Sequence, residues 1–179
     1  MSARQDILDV LEDRGIPYDL SEHEPVFTIE AMIEAGLPHP ERIAKNLFVR
    51  DDKKRNYYLL VVPGEQPVNL RHIQGVIGSR RLSFASEADL AQRLAIAKGA
   101  VGPFAVLNNE ARDVQVIIDE FFLGGLMGIH PNDNTATAWV GCEDVIALIA
   151  EHGNPVTTAR LEKPEKPEEP GVSGAAGQG

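Results

Sequence analysis

One segment of this 179-residue chain whose residue types could carry chemistry is a glycine-rich loop. Gly99, Gly102 and Pro103 stand directly before the apolar run at 104–107, which has the pattern of a short strand. Glycine lacks a Cβ, so a ligand can come close to the backbone N–H groups of such a loop. The segment therefore forms either a tight turn or a rim of main-chain donors that could stabilise a developing oxyanion.

A lysine and an asparagine stand at the start of a strand pattern that runs to Arg50. The ammonium group of Lys45 is either solvated, as at most strand starts, or aimed at a phosphate or a carboxylate. The amide of Asn46 can donate and accept hydrogen bonds beside it. The residues alone leave both interpretations open.

A polar loop at 128–135, with the sequence Gly-Ile-His-Pro-Asn-Asp-Asn-Thr, separates two apolar segments. Pro131 favours an extended backbone at the residue before it, so we expect the imidazole of His130 to project from the loop. Asn132, Asp133 and Asn134 suit turns, since their side chains bond to nearby backbone. An ordinary hairpin loop explains this composition as well as a binding site does.

Several other chemistries find no motif in the chain. The five histidines are scattered and lack the spacing of metal ligands, so we expect no metal and no cofactor. The phosphate-binding and dinucleotide-binding glycine motifs are absent, as is the glycine-flanked serine of hydrolases. Cys142, the single cysteine, lies at a predicted helix start and is interpreted as a half-buried capping residue.

Charge and cysteine content limit the partners and the compartment. The net charge of −10 argues against sequence-independent binding to DNA or RNA, although a small site for one nucleotide end remains compatible with it. One cysteine allows no intrachain disulfide, which suits a reducing cytoplasmic setting. No apolar run approaches the roughly 20 residues of a membrane span, and no signal segment is expected.

Hydrophobic patterns predict the elements that must position these motifs. Helices are expected at 4–13, 29–35, 70–76, 90–97 and 142–152, with Ser2, Thr28 and Asn69 as candidate caps and a capping box from Ser86 to Asp89. Strands are expected at 17–20, 46–50, 57–62, 81–85, 104–107, 114–119 and 135–140. Several connections are too short for parallel crossovers, which predicts an α+β fold with a mixed sheet. The domain should span residues 1–161, and the Pro-rich and Gly-rich segment 162–179 is expected to be a disordered tail.

The three motifs together resemble a known family. The order and spacing of the Lys45-Asn46 pair, the 99–103 loop and the 128–137 segment are similar to those of YbaK and prolyl-tRNA-synthetase-associated editing domains. The freestanding branch called ProXp-ala or PrdX is the most similar, and the resemblance covers about residues 3–160. It implies a compact, barrel-like mixed sheet flanked by helices.

The resemblance also implies a function, namely hydrolysis of the ester that joins alanine to the terminal adenosine of tRNA(Pro). It assigns catalytic positions to Lys45, Gly99, Gly102, Pro103 and His130, with Lys45 near the adenosine phosphate. The expected substrate-binding residues are Asn46, Ala100, Val101, Ile129 and Asn134. Prolyl-tRNA synthetase or an elongation factor is the expected transient partner. The expected enzyme is a metal-independent ester hydrolase.

Two alternatives stay open from the residues. One is a deacylase of the same fold that acts on another mischarged tRNA, carrying cysteine or serine. The other is a binding module that holds an aminoacyl or nucleotide group without turnover. No general base is named, because Asp133 is the one carboxylate in the three motifs and it has the position of a turn residue.

Overall fold

The computed structural model describes residues 3–165 of the chain. Ser2, the predicted cap of the first helix, lies outside the described residues, and so do residues 166–179 of the predicted tail. Residues 162–165 are exposed and belong to no helix or strand.

Within residues 3–165, five α-helices form where capping residues and amphipathic patterns predict them. Thr28, Asn69 and Ser86 each accept a hydrogen bond from the backbone of the first helical turn that follows, as N-cap side chains do. The Ser86 cap is a capping box with Asp89, as predicted. The helices are α1 (Ala3–Asp13), α2 (Ile29–Glu34), α3 (Leu70–Ile77), α4 (Glu87–Leu94) and α5 (Cys142–His152).

The described part of the chain contains eight strands in two sheets. In chain order they are β1 (Tyr18–Glu22), β2 (Ala44–Asp51), β3 (Tyr57–Pro63), β4 (Leu82–Phe84), β5 (Val114–Asp119), β6 (Leu126–Ile129), β7 (Ala136–Gly141) and β8 (Val156–Ala159). The larger sheet has the order β4-β2-β3-β5-β8, and the smaller has the order β1-β7-β6. The larger sheet is mixed, since β2 pairs antiparallel with β3 and β4 whereas β3-β5 and β5-β8 are parallel.

The fold is therefore α+β with a mixed sheet, and that prediction is confirmed. Within residues 3–165 the strands do not close into a barrel. The two sheets meet at a single bridge between Ile43, just before β2, and Gly128 in β6. This junction brings the beginning of β2 next to the end of β6, which leads into the polar loop.

Strand β3 is the centre of the core, as its apolar run predicts. Leu59 and Val61 pack in a large cluster with residues of α1, α4 and α5. Leu60 and Val62 face the other way, into a smaller cluster that includes Ile73 of α3. Because successive side chains of a strand point to opposite faces, this burial on both sides fixes the sheet firmly behind the cavity described below.

Three local predictions need correction. The run expected as a strand at 104–107 is a 3₁₀ helix, Pro103–Asn108, because proline suits a first helical position and the Gly102 carbonyl accepts from the N–H of Ala105. The short strands β6 and β8 were not predicted. Cys142 does not cap α5, since Gly141 holds that position, and its side chain is fully buried, so burial raises the pKa of the thiol to about 11.

Two general properties of the described chain bear on function. Among residues 3–165, no helix has the length and apolar character needed to cross a membrane. In the same range, no group of three or more histidine, cysteine, aspartate or glutamate side chains is arranged to hold a metal ion.

Candidate active site

A cavity of about 620 Å³ lies at the beginning of β2, where the predicted motifs converge. Its walls come from the start of β2, the segment 26–32 that includes most of α2, the junction of β4 and α4, and the glycine loop, here defined as residues 98–102. Since residues 128 and 129 belong to β6, the polar loop of the structure is residues 130–135. Its first residue, His130, lines the cavity as well. Segments far apart in sequence therefore share one hollow.

Five of the ten predicted site residues line this cavity, namely Lys45, Asn46, Gly99, Val101 and His130. Four others are buried behind its wall, namely Ala100, Gly102, Pro103 and Ile129. The last, Asn134, is half-buried, with its amide nitrogen 3.7 Å from where a Cβ on Gly99 would lie. The predicted residues form one neighbourhood, in which only some face the open space.

Among the described residues, Lys45 makes one hydrogen bond, from its Nζ to the backbone carbonyl of Gln66 at 2.7 Å. An ammonium has three donors, so this bond leaves capacity for a ligand. Burial lowers the pKa of Lys45, and the carboxylate of Glu30 acts in the opposite direction. The amide of Gln66 in turn donates to Asp119 at the end of β5, with a distance of 3.2 Å.

The side-chain oxygen of Asn46 is buried and has no hydrogen-bond partner among the described residues. Buried polar atoms are almost always paired, because an unpaired one costs about 1–3 kcal/mol. Asn46 lines the cavity beside Lys45. An unpaired acceptor next to a partly buried cation is the arrangement expected where a polar ligand completes the site.

The glycine loop places its backbone against protein on one side. Gly99 has φ +94, a conformation that side-chain-bearing residues rarely adopt, and a Cβ there would lie 2.8 Å from the ring of Phe27. Gly102 has an extended backbone, and its Cβ would lie 3.3 Å from the carbonyl oxygen of His130. Close packing against Phe27 and the polar loop therefore accounts for both glycines.

The backbone N–H groups of the glycine loop differ in whether they donate a hydrogen bond to another residue. The N–H of Ala100 donates to the carbonyl of Ala97. Within residues 3–165, the N–H groups of Gly99, Val101 and Gly102 donate to no acceptor. Main-chain N–H groups without a partner next to a cavity are available to a ligand oxygen.

His130 is fixed through one ring nitrogen. Its Nδ1 lies 2.8 Å from the carbonyl oxygen of Ala136, and a carbonyl can only accept, so Nδ1 carries the hydrogen. Burial lowers the pKa of His130, the bond to Ala136 acts against this, and neighbouring His23 lowers it further. In the neutral ring Nε2 is an acceptor, without a hydrogen-bond partner in the described part of the chain.

His23 is a neighbour that the sequence patterns did not reveal. Its ring centroid lies 6.1 Å from that of His130, and its Nδ1 is 2.9 Å from the carbonyl of Glu24. Its Nε2 is 2.9 Å from the hydroxyl of Thr137. These contacts fix the His23 ring against β7, behind His130.

Asp133 holds the turn of the polar loop, whereas the side-chain oxygen of Asn132 is buried without a partner among the described residues. The carboxylate of Asp133 accepts from the N–H and the hydroxyl of Thr135 and from the guanidinium of Arg4 at 3.0 Å. Burial acts to raise the pKa of Asp133, but the hydrogen bonds from Thr135 and the charge of Arg4 outweigh it, so the pKa is lowered. Asp133 is thus a turn residue tied to α1, as its position in the sequence suggests.

The cavity also has lining residues that no motif indicated. Two phenylalanines are among them, Phe27 with 74% and Phe84 with 60% of its surface exposed. The charged residues Glu30, Glu87 and Lys98 line it too. The first two lie at the starts of α2 and α4, and a sequence pattern cannot tell that these helix ends face each other.

Comparison with known proteins gives the family. The model of the aminoacyl-tRNA editing domain matches residues 23–148. The prolyl-tRNA editing protein ProX of Acetoanaerobium sticklandii is 43% identical over 162 residues, which cover 90% of this chain and 99% of that protein. The prolyl-tRNA synthetase associated domain-containing protein 1 of Bos taurus is 31% identical over 83% of this chain and 90% of its own length.

A solved structure shares the fold. A crystal structure of a protein proposed to be a trans-editing enzyme for prolyl-tRNA synthetase superposes with a TM-score of 0.71, covering 92% of this chain and 99% of its own. The two sequences are 19% identical, so this likeness concerns the fold alone. From the extent of the domain match and the identity to ProX, the chain belongs to the family of aminoacyl-tRNA editing domains.

Proposed function

We propose that this protein hydrolyses the ester bond between alanine and the 3′-terminal adenosine of mischarged tRNA(Pro). Its family makes it an aminoacyl-tRNA deacylase. One observation carries the proposal. Lys45, His130, Gly99 and Val101 line one cavity, and the N–H groups of Gly99 and Val101 have no acceptor within residues 3–165. Such a hollow suits a small side chain joined to a polar, anionic group.

Lys45 binds the phosphate of the terminal adenosine in this proposal. Its ammonium is partly buried and makes one bond to Gln66, so a phosphate oxygen can occupy its remaining donors. Asn46 accepts a hydrogen bond from a ribose hydroxyl or from the amino group of alanine, which would satisfy its unpaired oxygen. Both residues orient the substrate at the start of β2.

The glycine loop stabilises the transition state. Attack of water on the ester carbonyl places negative charge on its oxygen, and the free N–H groups of Gly99 and Val101, which line the cavity, can donate to it, while Gly102 packs against His130. Pro103 has no N–H and starts the 3₁₀ helix, so it stiffens the loop without acting as a donor. The donors are preorganised because packing against Phe27 and His130 fixes the glycines.

Water is the nucleophile, and the substrate helps to orient it. Asp133 accepts three hydrogen bonds from Arg4 and Thr135, which suits a structural role rather than that of a general base. Neutral His130 offers Nε2 as an acceptor for the 2′-hydroxyl of the terminal ribose, and this hydroxyl then holds the attacking water. Nδ1 of His130 stays bonded to Ala136 throughout.

Size exclusion explains why such an enzyme is needed. A synthetase pocket rejects a smaller amino acid poorly, since each missing methylene costs only about 1–3 kcal/mol of discrimination. A second site that admits only the smaller side chain completes the selection. Val101 lines the cavity, while Ala100 and Ile129 lie behind the wall and set its position.

The preference for tRNA(Pro) comes from the relatives. The Acetoanaerobium protein is named a prolyl-tRNA editing protein, and this chain spans nearly all of its length. Action on a released aminoacyl-tRNA implies brief contact with the charging synthetase or with an elongation factor. These partners are part of the proposal.

Release of amino acids from charged tRNA tests the proposal. Purified protein is incubated with tRNA(Pro) carrying alanine, cysteine, serine or proline, and release of each amino acid is followed. We expect alanine to be released fastest and proline to be retained. Lys45→Ala should abolish release, whereas Lys53→Ala, at an exposed hairpin tip, should not change it. Release of cysteine or serine alone would change the substrate, and release of none would favour a binding module.

A further inference from the structure

Two exposed aromatic side chains flank the mouth of the active-site cavity. Phe27 is 74% exposed and Phe84 is 60% exposed, the two largest exposures among the large apolar side chains that the structure describes as exposed. Both line the cavity. Phe27 lies just before α2, and Phe84 is the last residue of β4, so they belong to different walls.

Both phenylalanines are positioned by contacts with other segments. The ring of Phe27 lies directly over Gly99, close enough that a Cβ there would be 2.8 Å from its Cδ1. Phe84 pairs with Val49 in the antiparallel ladder of β4 and β2, and the next residue, Ala85, donates its N–H to the carbonyl of Phe48. The fold therefore holds two aromatic faces in solvent at a cavity entrance.

We infer that Phe27 and Phe84 stack on the unpaired bases that precede the terminal adenosine of the substrate tRNA. The inference rests on the proposed function. Aromatic side chains bind single-stranded nucleic acid by stacking, which accepts any base because every base has a π-face. The terminal nucleotide enters the cavity, so the bases before it must pass the rim.

The charges at the rim suit this ligand better than an apolar protein partner. Lys98 adjoins Gly99 and lines the cavity together with Lys45, so two cations are available to the backbone phosphates of the substrate. Glu30 and Glu87 also line the cavity, so its lining is charged as well as aromatic. A second copy of the chain would need a larger continuous apolar face to bury.

The test combines ring removal with base removal. Deacylation of alanyl-tRNA(Pro) is measured for the wild type, Phe84→Ala, Phe84→Leu and Phe27→Ala, on tRNA with normal or abasic nucleotides before the terminal adenosine. We expect Phe84→Ala and Phe84→Leu to raise KM by about tenfold or more with little change in kcat, since one stacked base contributes that much. Phe84→Trp keeps an aromatic ring at this position, so its KM should equal that of the wild type.

The decisive measurement is whether the effects of Phe84→Ala and of abasic substitution on KM are independent. Abasic substitution should raise KM for the wild type but have little further effect on Phe84→Ala, because the stacked pair is already lost. Purely additive effects would overturn the proposal. Alanyl-adenosine, which lacks the preceding bases, should be hydrolysed equally by the wild type and Phe84→Ala, and a similar loss on it would also overturn the proposal.

Matched controls separate the inference from the proposed function. Leu123→Ala removes an exposed apolar side chain that does not line the cavity, and it should leave KM unchanged. If the wild type releases alanine and the phenylalanine variants match it, the stacking inference fails and the function stands. If the wild type releases nothing, the proposed function fails.

A binding experiment tests the stacking even in that case. The affinity of the wild type and of Phe84→Ala for a fluorescent tetranucleotide ending in CCA is compared. Equal affinity, or self-association of the wild type that Phe84→Ala abolishes, would overturn it.

Discussion

The glycine loop and the polar loop lie side by side at the cavity, yet their polar groups are used in opposite ways. In the glycine loop the N–H groups of Gly99, Val101 and Gly102 have no acceptor within residues 3–165. In the polar loop the carboxylate of Asp133 accepts from Arg4 and Thr135, and His130 is bonded to Ala136. In the loop richer in polar side chains the carboxylate is fully bonded, whereas Oδ1 of Asn132 is buried without a hydrogen-bond partner among residues 3–165.

The difference shows where chemistry should be sought. Folded proteins pair nearly all their buried polar groups, so a satisfied cluster is a framework and an unsatisfied one awaits a ligand. Asp133 fixes the turn of the polar loop and the Ala136 carbonyl fixes the His130 ring, whereas the glycine loop has free donors and shares the cavity with Lys45 and Asn46. Four predictions can break or sharpen this contrast.

The largest effect is expected on the cavity side, at Lys45. Lys45→Met keeps the apolar stem and removes the charge, so kcat/KM for deacylation should fall by about 10²–10³-fold, as when a preorganised electrostatic contact is lost. The free energy of unfolding should not fall, because burial already disfavours the ammonium. Single-turnover deacylation and chemical denaturation measure the two effects. A loss of activity below about threefold would remove Lys45 from the site.

The glycine loop should respond to a single methyl group. Gly102→Ala suits the extended backbone, but its Cβ would lie 3.3 Å from the His130 carbonyl, so the loop must shift by tenths of an ångström. We expect kcat to fall by about tenfold, since small displacements of positioning groups are costly. Gly75→Ala in α3 meets nothing within 4 Å and should raise stability without affecting kcat. Unchanged kcat in Gly102→Ala would mean that the donors need no exact placement.

The polar loop should show the reverse pattern. Asp133→Asn removes the ion pair with Arg4, so the free energy of unfolding should fall by about 1 kcal/mol while deacylation changes less than about threefold. The pKa of Asp133 is lowered in the folded state, so its contribution is present above pH 4 and is lost as pH falls through the folded pKa. Thermal unfolding of both proteins should therefore converge in acid. A loss of four orders of magnitude in rate would reveal Asp133 as a general base.

The smallest effect concerns the charge of His130. Burial lowers its pKa, so the imidazole should stay neutral at pH 6.5, where an unperturbed histidine is half protonated. The unfolded chain takes up a proton first as pH falls, so this residue makes the fold less stable below that pH. NMR titration of the ring, assigned with His130→Gln, measures the shift. A pKa above 6.5 would remove the acceptor role of Nε2.

Much of the framework could be predicted from sequence because its signals are local. Thr28, Asn69 and Ser86 cap helices through side chains that act within one turn, and the apolar run of β3 reports burial directly. The 104–107 run was predicted as a strand from its apolar residues, although Pro103 fits the first position of a helical turn equally well. The 3₁₀ conformation depends on the contact between Gly102 and Ala105.

The missed elements depend on distant partners. Strand β6 contains Gly128, and glycine in a sequence usually indicates a turn. In the structure this glycine instead leaves room for the ring of Trp139 in β7. Strand β8 is four residues long and is defined by parallel pairing with β5. Phe27 and Phe84 were likewise missed, because only the fold brings them to one cavity.

The hydrogen bonds of Asp119 limit how far the C-terminal end of this chain can be truncated. One carboxylate oxygen accepts from Gln66, whose carbonyl holds Lys45, and also from the N–H of Leu161, which is almost fully buried. The family match stops at residue 148, inside α5. An excised version ending there would lack β8 and Leu161, and the loss would be transmitted through Asp119 and Gln66 to the lysine. Expression boundaries should therefore extend past Leu161, however neatly a shorter fragment matches its relatives.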